Sequence, residues 1–266
     1  MSPDLVHLGP LEVVAAAALI LLNGALSVWL GLGLGKKLGI ASIRTVVQLL
    51  LLGYLLVPVF KWGSPWLVVG IGVLMTALAT REVVGRIDRT VRGMRIASFF
   101  AMLVGCAGAA LYGVLVVVQV HPWWTPQYLV PLVGMVLGNA LNGLSIGLDR
   151  TLALLDEQRG RVEGLLALGA TWWEASREVA AEALRLAMVP ILNSMSAVGL
   201  VTIPGMMTGQ ILAGSPPEQA ARYQIIILFL IAGAVATGSV LAVLWVVRAV
   251  FDDQHRLRSE RIRRRG

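Results

Sequence analysis

The sequence predicts an all-α polytopic membrane protein with seven transmembrane helices, the N-terminus outside, the C-terminus cytoplasmic, and a short cytoplasmic helix. Three observations predict it. The 266 residues are 57% hydrophobic with a mean hydropathy of +0.79, and 14% are charged, against about a quarter in soluble domains. Several apolar runs approach or exceed the roughly 20 residues needed to cross the hydrocarbon as a helix. The basic residues gather in every second connection.

Taken in order, the spans are 11–34, 40–60, 65–80, 96–119, 128–148, 186–212 and 223–250, forming a single transmembrane domain over 1–266. Lys36 and Lys37 follow the first span. Arg81, Arg86, Arg89, Arg92 and Arg95 follow the third, and Arg150, Arg159, Arg161, Arg177 and Arg185 the fifth. Arg256, Arg258, Arg261, Arg263, Arg264 and Arg265 follow the seventh, whereas the other side holds Lys61 and Arg222. The positive-inside rule then orients the chain. Trp62, Trp66, Trp123 and Trp124 fall at the outer edges, as an aromatic belt would. The Arg-rich tail is either a solvated topology signal or a contact for anionic lipid. No cleavable leader pattern precedes the first span.

Composition also excludes functions. His7, His121 and His255 all fall outside the spans, and of the acidic residues only Glu12 touches one, at its outer end. Carriers coupled to protons or sodium need ionisable groups at depth. Retinal-type pumps need a lysine in the last span, and none follows Lys61. No HExxH motif is present. The chain is read as no enzyme, with no cofactor and no metal site of its own. Cys106 stands alone, so no internal disulfide forms. The net charge of +7 flanks the spans, which favours the membrane over nucleic acid. The run Gly31 to Lys37 lacks the Ser/Thr and the spacing of a phosphate loop. Met135, Met195, Met206 and Met207 read as packing residues.

The spans still offer candidates for a translocation path or gate. Arg44 and Gln48 are one turn apart on one face of the second span; Arg44 either serves the inner mouth or snorkels to the interface. The fifth span carries Asn139 and Asn142 among two GxxxG spacings, Gly134–Gly138 and Gly143–Gly147. These allow close helix packing, or a path or dimer seam lined by the asparagines. The sixth carries Pro190, Asn193, Gly199, Pro204, Gly205, Met206, Thr208, Gly209 and Gln210. Prolines and glycines at this density kink or break a helix. Broken backbone at membrane depth survives where protein or a water-filled cavity satisfies it. Residues 203–214 are therefore the best gate candidate.

The segment 150–185 between spans five and six holds the most informative stretch, 161–174. Gly169 closes a short helix in the left-handed conformation. Thr171 caps the next one, with Glu174 completing a capping box. Leu165, Leu166, Leu168, Trp172 and Trp173 give the short helix an apolar face and an aromatic knob. A solvated loop gains nothing from two adjacent tryptophans, so they dock either into the interface or into a partner's cleft. The segment reads as a lever pushed by an external motor. Its coupling residues are Glu163, Leu166, Gly169, Thr171, Trp172, Trp173 and Glu174.

Glu163 followed by Gly169 resembles the loop that ABC importer permeases insert into their ATPase subunits, and Ala167 to Thr171 resembles the amino-acid importers' form, although Pro190 comes later than usual. A wider resemblance rests on Arg44 to Gln48 with Gly53 and Tyr54, Gly134 to Asn142 with Asp149 and Arg150, Leu168 to Thr171, and Ile203 to Pro217. Over nearly the whole chain it is similar to the bacterial iron-export ABC permeases of the Fet type, which are related to the plant aluminium-tolerance half-transporters. That resemblance implies a bacterial inner-membrane permease exporting iron, another metal or its complex. It implies a separate cytoplasmic ATPase subunit holding ATP and Mg, and a second copy of the chain as a homodimer. A nucleotide sugar is the alternative solute. Outside the resemblance, a seven-helix receptor or sensor and a stand-alone channel fit the same topology.

Overall fold

The computed structural model describes residues 9–264; His7 and Arg265 lie outside them. The described residues are helical almost throughout and fall into two compact units. One runs up to Trp62 and takes in Leu212–Gly214; the other comprises Gly63–Ile211 and the chain from Ser215.

The first unit is a helical hairpin of α1 (Pro10–Trp29) and α2 (Gly35–Trp62). Glu12, in the first turn of α1, accepts the Gly9 N–H at 2.7 Å, where the helix dipole favours a negative charge. Between the helices Gly31 and Gly33 both have φ +64, and Ser27 Oγ accepts the Leu34 N–H at 3.0 Å. The glycine run is a helix–helix turn. Both helices present mostly exposed apolar side chains, as suits a hydrocarbon environment.

The second unit begins with α3 (Pro65–Gly85) and strand β1 (Arg89–Thr90). One long span, Met94–Val118, follows. It consists of α4 (Met94–Met102), a π turn at Leu103–Ala107, α5 (Gly108–Tyr112) and a second π turn at Gly113–Val118. Then come α6 (Pro126–Glu157), α7 (Arg159–Ala167), α8 (Trp172–Ala197), α9 (Gly205–Leu212), α10 (Pro217–Val250) and β2 (Arg263–Arg264), which pairs antiparallel with β1.

The core forms around α6, which packs on α3, α8 and α10. A Cβ on Gly143 would stand 2.9 Å from the Ala187 carbonyl oxygen, and one on Gly147 would stand 3.0 Å from the Ala187 Cβ. Ala183 and Ala187 are fully buried there. Across α10, a Cβ on Gly105 would meet the Ala234 carbonyl at 2.9 Å. Such close approach supplies the van der Waals contact that joins helices where lipid is as apolar as the helices themselves. Of the two GxxxG spacings, Gly143–Gly147 serves this contact, whereas a Cβ on Gly138 would meet nothing.

Several helices differ from the lengths read off the apolar runs. Burial of Val83 and Val84 carries α3 on to Gly85, past residue 80. Burial of Thr151–Leu155 carries α6 to Glu157, and Arg150 pairs with Glu157 at 3.5 Å and Glu182 at 3.0 Å. The segment 150–185 is thus mostly the ends of two long helices, with α7 between them. Among the described residues, six helical stretches are long and apolar enough to cross a membrane: Leu11–Trp29, Gly35–Trp62, Pro65–Gly85, Met94–Val118, Pro126–Glu157 and Pro217–Val250. The run 186–212 is two helices, not one. Pro190 sits inside α8 without ending it. The break falls at 198–204, where Gly199 has φ +81, its N–H bonds the Thr202 carbonyl, and Pro204 precedes α9.

Candidate functional site

The junction of α7 and α8 is built by local sequence chemistry. Gly169, at φ +93, donates its N–H to the Leu166 carbonyl, and Ala170 donates to Leu165, each at 3.0 Å. This bond pair is a Schellman motif, which needs a residue free to adopt the left-handed region. Two residues later Thr171 Oγ1 accepts the Glu174 N–H at 3.3 Å, while Glu174 Oε2 accepts the Thr171 N–H at 2.8 Å. The Thr171 hydroxyl donates to the same carboxylate oxygen. The Thr171 N–H, then its hydroxyl, hold the Glu174 carboxyl below the ordinary range. One helix therefore stops and the next starts with every intervening residue fixed.

On α7, Val162 is buried, Leu165 and Leu166 are half-buried, and Leu168 is 87% exposed. Arg159 Nε bonds Glu163 Oε1 at 2.7 Å, and Arg161 pairs with Glu178 of α8. The two neighbouring tryptophans part company. Trp172 lies 6.5 Å from the Phe251 ring, with the Arg248 guanidinium 5.9 Å from its own ring centre. Its backbone N–H donates to His255 Nδ1 at 3.2 Å. Trp173 is 37% exposed and touches the Trp172 ring edge-on. Only Trp173 extends the knob expected of the pair.

The C-terminal segment is the part sequence reasoning missed. It folds back onto the helix ends. Phe251 is buried and forms an isolated bridge with Leu257. Asp252 accepts the backbone N–H groups of Arg256 at 2.8 Å and Gln254 at 3.0 Å, and Arg258 Nε at 2.9 Å. Those bonds, the Arg256 N–H foremost, draw its carboxyl below the ordinary range. Arg261 donates to the Ala249 and Phe251 carbonyls. Arg264 and Arg89 both reach Asp156 at the end of α6, at 2.9 and 3.5 Å. An open groove of about 400 Å³ runs between α7 and this segment, lined by Glu163, Leu166, Ala167 and residues 254–257. The signal available in sequence was the spacing of Asp252 ahead of a row of arginines.

The path candidates are scattered. Arg44 and Gln48 are exposed, one turn apart on α2 of the first unit. In the second unit Asn139 Nδ2 donates to its own helix at the Met135 carbonyl, 2.8 Å away. Asn142 Oδ1 accepts Arg86 Nη1 at 2.9 Å, tying α6 to the end of α3. Asn193 is exposed near the end of α8. Pro204 and Gly205 open α9; Thr208 Oγ1 donates back to the Pro204 carbonyl at 3.2 Å, and Met206 is half-buried. Gln210 Oε1 is buried with no hydrogen-bond partner among the described residues. Also among the described residues, no group of three or more His, Cys, Asp or Glu could hold a metal ion.

Residues 10–251 match the family described as "Uncharacterised protein family (UPF0014)". The chain belongs to this family. It is 37% identical, over 87% of its length and 89% of the relative's, to the UPF0014 membrane protein slr1647 of Synechocystis sp.. It is 29% identical to Protein ALUMINUM SENSITIVE 3 of Arabidopsis thaliana, covering 94% and 90% of the two chains. It is 28% identical to the "Probable iron export permease protein FetB" of Escherichia coli, covering 80% and 81%. No solved structure matches the chain. The expected kinship with iron-export permeases and plant aluminium-tolerance proteins holds, and the chain is a membrane protein of that family.

Proposed function

We propose that the chain is the transmembrane subunit of an ABC exporter, driven by a separate cytoplasmic ATPase that holds ATP and Mg and grips α7. The α7–α8 junction carries this reading. A short helix with an exposed Leu168 ends in a fixed turn and passes straight into a 26-residue helix. Force applied to α7 is transmitted along α8 to the break at 198–204. Glu163, Leu166 and Trp173 make the contact, while Gly169, Thr171, Trp172 and Glu174 keep the joint stiff.

The topology we propose has seven spans, with α8 and α9 together forming the broken sixth, in the inner membrane of a bacterium. Basic residues at the α3–β1 turn, on α7 and in the C-terminal segment support a cytoplasmic position for those parts. Exposed Leu200, Val201 and Ile203 beside unwound backbone require protein cover in a bilayer. A homodimer supplies it and matches two ATPases to two permeases. The cargo is iron or another metal, following the iron-export relative. The spans lack clustered hard ligands, so the metal passes as a complex or by transient amide and backbone contacts near Asn193, Thr208 and Gln210. Metal efflux from proteoliposomes tests the whole reading. It requires both the ATPase and ATP, and Gly169→Pro abolishes it together with ATPase binding. Efflux without ATP would make the protein a channel and sink the proposal; so would a Gly169→Pro variant that still pumps.

A further inference from the structure

Two arginines line a groove that the coupling reading leaves unused. The groove, about 540 Å³, lies between α3 and α4 and is lined by Ala77, Thr80, Arg81, Arg95, Ile96 and Phe99. Arg81 belongs to the last turns of α3 and Arg95 to the first turn of α4. A turn of eight residues joins the helices, so both guanidinium groups stand at the same end of one helical hairpin, where the apolar spans give way to charge. Among the described residues neither Arg81 nor Arg95 has an ion pair or side-chain hydrogen bond. Arg86 is engaged with Asn142, Arg89 with Asp156, and Arg150 with Glu157 and Glu182, whereas Arg92 has no such partner among the described residues but does not line the groove. Thr80 is also occupied, since its hydroxyl donates to the Thr76 carbonyl. Below the two cations the wall is apolar, with Ile96 66% exposed.

We propose that this groove binds an anionic phospholipid. Its phosphate sits between Arg81 and Arg95, and an acyl chain lies along Ala77, Ile96 and Phe99. Guanidinium groups pair with phosphate through charge-assisted, bidentate hydrogen bonds, and basic pockets between spanning helices favour anionic headgroups. Two exposed like charges lining one apolar cleft repel each other when it is empty, and one phosphate relieves that repulsion. A zwitterionic lipid also carries a phosphate, but its own ammonium offsets the attraction. The inference rests on membrane insertion alone and is independent of the ATPase.

The test is native mass spectrometry of the full chain released from nanodiscs of phosphatidylglycerol mixed with phosphatidylcholine. The wild type retains phosphatidylglycerol preferentially. Arg81→Gln/Arg95→Gln retains it about thirtyfold more weakly, at roughly one tenfold step or less per cation removed. Arg81→Lys/Arg95→Lys, which keeps the charge, loses less. Arg92→Gln, an exposed arginine outside the groove, matches the wild type. Should the double variant not fold, the single Arg81→Gln and Arg95→Gln variants are read instead, each expected to show a partial loss. Unchanged retention in the Gln variants overturns the proposal, and so does equal retention of the two lipids. Displacement of the lipid by millimolar inorganic phosphate overturns it too, because the groove would then be a site for the free anion.

Discussion

His255 Nδ1 accepts the backbone N–H of Trp172 at 3.2 Å, across 83 residues of chain. The first N–H groups of a helix have no partner within it, so the C-terminal segment supplies a cap to α8. The bond requires a lone pair on Nδ1, which places the imidazole proton on Nε2. Arg248 and Phe251 hold the same tryptophan from the end of α10. The start of α8 and the tail are thereby joined.

His255 also has φ +58, a conformation that asparagine tolerates and alanine resists. His255→Asn is expected to keep the turn and an acceptor. His255→Ala loses both, at about 1 kcal/mol each for the cap and the left-handed residue. Hydrogen exchange of residues 252–264 is the measurement. Faster exchange in the alanine variant alone supports the cap; equal rates in both variants remove it.

Asp252 makes the tail sensitive to acid. Its carboxyl lies below the ordinary range when folded, so its contribution is complete above the unfolded value near ~4. That contribution is lost as pH falls through the lower folded value. A spin label at Ser259→Cys, in a Cys106→Ser background, should stay immobile from neutral pH to about 4 and loosen below. Asp252→Asn should be loose at neutral pH and indifferent to acid. A label immobile in Asp252→Asn would mean that the arginine contacts hold the tail alone.

Gly169 and Gly164 separate conformation from space. Neither would bring a Cβ within 4 Å of another atom, but Gly169 has φ +93. Gly169→Ala should cost about 1 kcal/mol or more of stability. Gly164→Ala, inside α7, should gain roughly 1 kcal/mol. Thermal unfolding in detergent distinguishes them, and matching shifts would show that the turn relaxes without loss.

Packing at α6 yields a similar pair. A Cβ at Gly143 meets Val235 Cγ1 at 2.7 Å and a backbone carbonyl at 2.9 Å, and a carbonyl inside a helix cannot step aside. Gly143→Ala should destabilise by about 1–3 kcal/mol, while Gly138→Ala, facing open space, should not. Equal melting temperatures for the two variants would contradict the helix contact described.

Much of this was legible in the sequence because it is local. The left-handed stop at Gly169, the Thr171–Glu174 box and the apolar runs each depend on a handful of consecutive residues. The end of α6 was not legible, because Asp156 and Arg150 look like loop charges until Arg264 and Glu182 arrive from far along the chain. The tail was missed for the same reason: a row of arginines reads as solvated until Asp252 and Asp156 are seen to hold it. A kink or break is legible somewhere between Pro190 and Gln210, but sequence alone does not show that Pro190 stays within α8 and that the unwound residues are 198–204. Asn142 was read as a path or seam residue, and only tertiary structure shows its bond to Arg86.

The two tryptophans give the sharpest division between structure and partnership. Trp172 is enclosed by Phe251, Arg248 and His255, so Trp172→Ala should strip the tail of its anchor. A loss of about 3 kcal/mol is the usual scale for a large aromatic truncated in a core, and half-burial should reduce it. Trp173 is 37% exposed, and its ring meets that of Trp172 edge-on. Trp173→Ala should leave the melting temperature within about 2 °C but weaken ATPase binding by tenfold or more, as interface tryptophans often do. Binding of the purified ATPase to both variants, read beside their melting curves, decides the matter. A Trp173→Ala variant that binds the ATPase normally would move the contact to Leu168 and the groove beside Glu163; one that melts early would show that Trp173 supports the junction itself.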